Sequence, residues 1–132
     1  MEIKTFEEMM ERFRNISLDE NFDLIVAIAY GGIIPATILK QRLDLDMQLL
    51  KINLRDNDQK PKYDRPQLLA PINFEFKNKR ILLVDDRVKT GASMRFAMEL
   101  LQGAQMIRTF AVNGSADYSL YNENCFKFFW NL

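Results

Sequence analysis

The sequence predicts an α/β protein: a single doubly wound, mainly parallel sheet with helices on both faces. Three observations predict it. Phe22–Ala29 and Arg80–Val84 are short runs of branched apolar residues with no polar alternation, as in strands buried on both faces. Each run passes through a short turn into a segment with helical apolar spacing. Strands that alternate with helices along the chain build a parallel sheet through right-handed crossovers. At 132 residues the chain has the length of one domain, taken as 1–132. A chain of this size hides roughly two-thirds of its unfolded surface, enough for a core without covalent staples.

The elements follow in order. Thr5-Phe-Glu-Glu8 is a capping-box pattern, a hydroxyl at a helix entrance with a carboxylate three residues on. Phe6, Met9, Met10 and Phe13 then form one apolar helical stripe that packs on the body of the protein. Phe22–Ala29 is the first strand. It runs into Tyr30-Gly31-Gly32, and Pro35 suits the first turn of a helix carrying Ala36, Ile38, Leu39 and Leu43. Gln48–Asn53 is a second strand. From Leu54 to Pro71 the periodicity stops, and polar residues and three prolines dominate. Connections of this length without structure are uncommon, so the stretch is either a solvated excursion or a functional lid. Arg80–Val84 is the next strand, ended by Asp85 and Asp86. Ala92–Gln102 is a helix with Ala97, Leu100, Leu101 and Ala104 on its core side, stopped at Gly103. Met106–Val112 is a further strand. The stretch from Asp117 onward is rich in aromatics, among them Tyr118, Tyr121, Phe126, Phe128, Phe129 and Trp130.

Composition removes several chemistries. The 18 basic and 18 acidic residues cancel, so the chain lacks the basic surplus of a nucleic-acid or anionic-membrane binder. With no histidine, neither a serine–histidine triad nor a histidine metal site can form. The single cysteine, Cys125, allows no internal disulfide and fits a reducing compartment. The longest apolar run, Leu24–Tyr30, is too short for a membrane span, and the acidic N-terminus does not read as a signal peptide. A cytoplasmic protein with no membrane or nucleic-acid partner is expected.

In a doubly wound sheet, ligands sit outside the carboxyl ends of the strands. Tyr30-Gly31-Gly32 and Asp85–Ser93 both fall there. Thr90 to Ser93 opens a helix, where unpaired N–H groups and the helix dipole favour a phosphate. Gly91 permits close approach, and the Thr90 and Ser93 hydroxyls add donors. Asp85 and Asp86 repel a phosphate but accept from sugar hydroxyls or hold a divalent cation through water. A sugar phosphate satisfies both halves. A response-regulator receiver also carries an acidic pair after a strand, but it needs over a hundred residues beyond the pair, and only 46 follow Asp86.

Ile81-Leu-Leu-Val-Asp-Asp-Arg-Val-Lys-Thr-Gly-Ala-Ser93 resembles the phosphoribosyl-diphosphate signature of the type I phosphoribosyltransferases. Ala29–Ala36 resembles the family's diphosphate loop, Leu54–Pro71 lies where the family has its flexible lid, and residues 117–132 lie where it has a small C-terminal hood. Length and order are most similar to the short bacterial xanthine-guanine and hypoxanthine members. The resemblance implies transfer of a phosphoribosyl group from phosphoribosyl diphosphate to a nucleobase, in purine salvage, with Mg²⁺ and as a homodimer. It implies a catalytic set of Asp85, Asp86 and Lys89, with the same two aspartates at the metal. It assigns the 5′-phosphate to Lys89, Thr90, Gly91, Ala92 and Ser93, and the diphosphate to Tyr30, Gly31 and Gly32. Val112, Phe126 and Trp130 are the residues it implies for the base. Three positions depart from the purine-using pattern: Tyr30 replaces a basic residue, Lys89 replaces an acid, and Val112-Asn113-Gly114 lacks a base-reading lysine. They leave open a catalytically weak or inactive member that binds the donor or a nucleotide as a regulatory ligand.

Overall fold

Leu24–Ala29 (β1) is buried at all six positions and lies at the centre of the sheet. The fold comes from a computed structural model, which describes residues 1–53 and 66–131. Around β1 are arranged α1 (Phe6–Asn15), α2 (Ile33–Leu43), β2 (Asp46–Asn53), β3 (Gln67–Leu68), β4 (Arg80–Val88), α3 (Ala92–Leu100), β5 (Met106–Gly114) and β6 (Tyr118–Tyr121). The sheet order is β3-β2-β1-β4-β5-β6, antiparallel only between β2 and β3. This is the α/β fold predicted. Among the described residues no helix is long and apolar enough to cross a membrane.

Strand alternation divides the apolar side chains between two cores. Ile25, Ala27, Leu82, Val84, Phe110 and Val112 meet Met9 and Phe13 of α1 and Ala36 and Leu39 of α2. Val26, Ile28, Ile81 and Leu83 point the other way and meet Met94 and Ala97 of α3. Helices therefore cover both faces, which is why β1 and β4 read as unbroken apolar runs.

Helix starts follow the sequence. Thr5 Oγ1 accepts from the Glu8 N–H at 3.2 Å, as the capping pattern predicts. Phe6, however, is 54% exposed and meets Phe129 edge-on, while Met9 and Phe13 carry the buried stripe. Pro35 is the third helical residue of α2, where a missing N–H costs no helix bond. Arg42 joins the two helices on that face by donating to the carbonyl oxygens of Phe13 and Ile16, each at 2.7 Å.

Several boundaries differ from expectation. β4 continues past Val84 to Val88, so Asp85 and Asp86 lie within the strand rather than beyond it; Asp85 pairs with Ala111 and Arg87 with Asn113. β5 likewise extends to Gly114, and α3 ends earlier, at Leu100. Within the patternless stretch, Gln67 and Leu68 pair with Asn53 and Ile52 as a short edge strand. Residues 54–65, the greater part of the segment expected as a lid, lie outside the described residues.

A further difference is β6. Phe110 pairs in parallel with Tyr118, so after Gly114 the chain must run back down before rising again. Parallel neighbours ordinarily need a crossover of a dozen residues or more. Here the return is fixed by side chains. The Thr109 N–H donates to Asp117 Oδ2 at 2.8 Å, and the Asp117 N–H donates to Thr109 Oγ1 at 2.9 Å. The Ser119 hydroxyl donates to the Gly114 carbonyl at 2.6 Å.

Candidate active site

The carboxyl ends of β1, β4 and β5 form the rim where the predicted residues gather. β1 passes into Tyr30-Gly31-Gly32 through a cis Ala29–Tyr30 peptide bond. The turn closes with the Gly32 N–H donating to the Ile28 carbonyl at 2.8 Å and the Ile33 N–H to the Tyr30 carbonyl at 3.1 Å. Both glycines are demanded by close approach. A Cβ on Gly31 would stand 2.6–2.8 Å from the carboxylate atoms of Asp86, and one on Gly32 would overlap the carbonyl oxygens of Val84 and Ile28. The second acid of β4 is thus pressed against the turn that opens α2. Tyr30 itself is 72% exposed.

Asp85 and Asp86 are tied locally. The Asp86 N–H donates to Asp85 Oδ1 at 2.8 Å, and the Arg87 N–H donates to Asp86 Oδ1 at 2.6 Å. Burial first, and the neighbouring Asp86 charge second, push the Asp85 carboxyl well above the usual carboxylate range; the bond from the Asp86 N–H opposes this in part. A site that holds one acid in this state suits a ligand whose hydroxyls or bound cation relieve it.

Beyond Val88, Lys89 and Thr90 are exposed, and Gly91 adopts a left-handed conformation (φ 82°) as the N-cap of α3. The Thr90 hydroxyl accepts from the Ala92 N–H at 3.2 Å, and Arg95 Nη1 donates to the Thr90 carbonyl at 3.0 Å. Ala92 and Ser93 are half-buried in the first turn of the helix. The carboxylates, the glycine turn and the helix entrance therefore share one end of the sheet.

The residues expected at a base divide. Val112 and Phe126 are fully enclosed in the core of the α1/α2 face, so neither side chain is open to a ligand; for these two the expectation is corrected by burial. Trp130 is half-buried and stacks on Phe128, with ring centroids 4.8 Å apart. Asn113 has both ends of its amide engaged: Nδ2 donates to the Glu123 carbonyl at 3.1 Å, and Oδ1 accepts from the Glu123 N–H at 3.0 Å. It fastens the C-terminal segment to β5. Arg87 fastens the same segment to β4, donating to the Phe126 carbonyl at 2.6 Å. The tethering role of neither residue was predicted from the sequence. For Arg87 the available signal was a cation directly after two acids, in a strand whose Ile81–Val84 stretch is buried.

A model of the phosphoribosyl transferase domain matches residues 3–122. The chain belongs to this family. Among sequence relatives of the phosphoribosyl transferase chain, the transcriptional regulator GfcR of Methanocella arvoryzae is 26% identical over 96 residues, covering 72% of this chain and 46% of that protein. The xanthine-guanine phosphoribosyltransferase of Idiomarina loihiensis is 27% identical over 92 residues, covering 70% of this chain and 56% of that protein. The chain thus spans about half the length of these two relatives. The crystal structure of a purine phosphoribosyltransferase from Pyrococcus horikoshii superposes with a TM-score of 0.80 at 23% identity, over 97% of this chain and 92% of the other. The sheet and its helices are the type I phosphoribosyltransferase fold.

Proposed function

We propose that this chain transfers a phosphoribosyl group from phosphoribosyl diphosphate to a nucleobase, in purine salvage. One observation carries the reading: the Asp86 carboxylate lies against Gly31, so the acceptors for sugar hydroxyls and the turn for a diphosphate are immediate neighbours. In this reading Asp85 and Asp86 accept from the ribose hydroxyls. Thr90, Gly91, Ala92 and Ser93 hold the 5′-phosphate at the entrance of α3, with Lys89 adding positive charge. Tyr30, Gly31 and Gly32 face the diphosphate. Trp130 is the base-site candidate whose side chain is partly open. In this reading the protein acts in the cytoplasm and as a homodimer, and analytical ultracentrifugation tests the dimer.

Mg²⁺ fits the donor set. No cluster of three or more metal-ligating side chains occurs among the described residues, but Mg²⁺ commonly takes one or two carboxylates and completes its shell with water and ligand phosphates. Asp85 and Asp86 are the residues that would hold it. When bound, the ion supplies positive charge beside the diphosphate. The chain's own residues orient the sugar between the two aspartates and the helix entrance, which fixes the anomeric carbon for displacement of diphosphate.

The test is incubation with phosphoribosyl diphosphate, Mg²⁺ and a panel of bases, with nucleotide and released diphosphate as products. Exchanging Asp85 and Asp86 together for Asn removes two charged acceptors. At about 1.5–3 kcal/mol for each hydrogen bond to a charged group, donor affinity should fall at least about 100-fold. Unchanged affinity would place the donor elsewhere.

A second reading has its own support. Asn113, beside the place of a base-reading lysine, is engaged with the main chain of Glu123, and an exposed cation stands at Lys89. Both suit a member that binds the donor or a nucleotide as a regulatory ligand. Donor binding without turnover on any base decides for it.

A further inference from the structure

Arg87 follows the two aspartates, and its two ends do different things. Its backbone N–H holds Asp86 Oδ1 at 2.6 Å. Its side chain leaves for the C-terminal segment, where Nη2 donates to the Phe126 carbonyl at 2.6 Å and the guanidinium lies over the Phe128 ring, 4.2 Å from its centroid. Phe128 in turn stacks on Trp130 at an interplanar angle of 28°. The guanidinium Nε is enclosed and has no hydrogen-bond partner among the described residues. A buried N–H without an acceptor opposes burial. The guanidinium keeps its place through the other contacts, a charge-assisted bond and a cation–π contact.

We propose that Arg87 is a positioning residue that couples the carboxylate pair to the C-terminal aromatic segment, so that engagement of a sugar ligand at Asp86 changes the packing of Phe128 and Trp130. This rests on the sugar-phosphate reading above. When Asp86 Oδ1 turns to a sugar hydroxyl, it gives up part of its bond from the Arg87 N–H. The constraint on the main chain at Arg87 then changes, and Phe126 and Phe128 are the next groups its side chain touches.

Trp130 is the sole tryptophan, so its fluorescence reports this segment alone. Arg87→Met keeps the length of the stem and removes the charge and donors. Arg87→Lys keeps the charge but lacks the flat group that meets carbonyl and ring together. In the ligand-free protein, acrylamide quenching of Trp130 should rise about twofold in Arg87→Met as the segment opens locally. Arg87→Lys should lie between parent and Met variant, and it answers the question if Arg87→Met does not fold. Equal quenching in parent and variants overturns the tether.

With phosphoribosyl diphosphate and Mg²⁺ followed by calorimetry, the parent's quenching should change on binding. Arg87→Met should bind the donor within about threefold of the parent and show no such change. A change equal to the parent's overturns the coupling. Absence of donor binding to the parent overturns the sugar-phosphate reading and the coupling with it, and the ligand-free quenching then still judges the tether by itself.

Discussion

Gly31 and Gly32 are adjacent, and a methyl group at each should do different harm. At Gly31 it meets a side-chain carboxylate that can swing away, so Gly31→Ala should leave folding nearly intact and displace Asp86, lowering donor affinity. At Gly32 it meets main-chain carbonyls of β1 and β4 that cannot, so Gly32→Ala should cost about 1–3 kcal/mol or more in urea unfolding. Asp85 supplies a pH dependence. Its carboxyl holds a proton in the folded state to higher pH than in the unfolded chain. Across the window from the ordinary carboxylate range up to the raised folded value, the native state binds more protons, so stability falls as pH rises. Asp85→Asn should therefore raise Tm by a few degrees at neutral pH and flatten its decline with pH, while weakening the donor. An unaltered Tm–pH curve would contradict the assigned burial. The gathering of the two aspartates and Thr90–Ser93 at one end of the sheet was legible because both follow the unbroken apolar run of one strand. The enclosure of Val112 and Phe126 was not, because an apolar residue beside a ligand and one inside a core read alike.

At the scale of elements, the clearest prediction concerns β6. Asp117 accepts from the Thr109 N–H, and Thr109 is only 8% exposed, so removing the acceptor strands a buried donor. Asp117→Ala should cost about 1–3 kcal/mol, and Asp117→Asn, which keeps a carbonyl oxygen, should recover most of it; equilibrium unfolding measures both. Strands β1 and β4 could be read directly because both faces are covered, and α1 because its cap and stripe agree. β6 could not. It spans four residues without alternation, Leu120 and Tyr121 buried after half-buried Tyr118 and Ser119, and its position depends on side-chain bonds to a strand read as ending earlier. The true end of β4 was hidden for a related reason: a ladder partner on β5 holds Asp85 in the sheet although its side chain is polar.

For the whole molecule, ligand and fold are linked. Donor with Mg²⁺ at about 100 times Kd should add about 2.7 kcal/mol to stability, a rise in Tm on the order of 10 °C for a chain of this size. The Asp85/Asp86 double Asn variant should show none of this rise in a thermal shift assay. The layered architecture itself was legible, since it needs only buried strands alternating with helices. The distribution of apolar side chains into two cores follows from it. One consequence concerns the order of assembly. Phe110 finds Tyr118 just past a reversal, a contact with little loop to close, whereas Leu24 must find Ile81 across the middle of the chain. The β1–β4 seam is the entropically expensive one, and it carries Gly31 on one side and Asp86 on the other. The end of the sheet proposed to bind the donor should thus be completed late in folding, and substitutions there should speed unfolding more than they slow refolding.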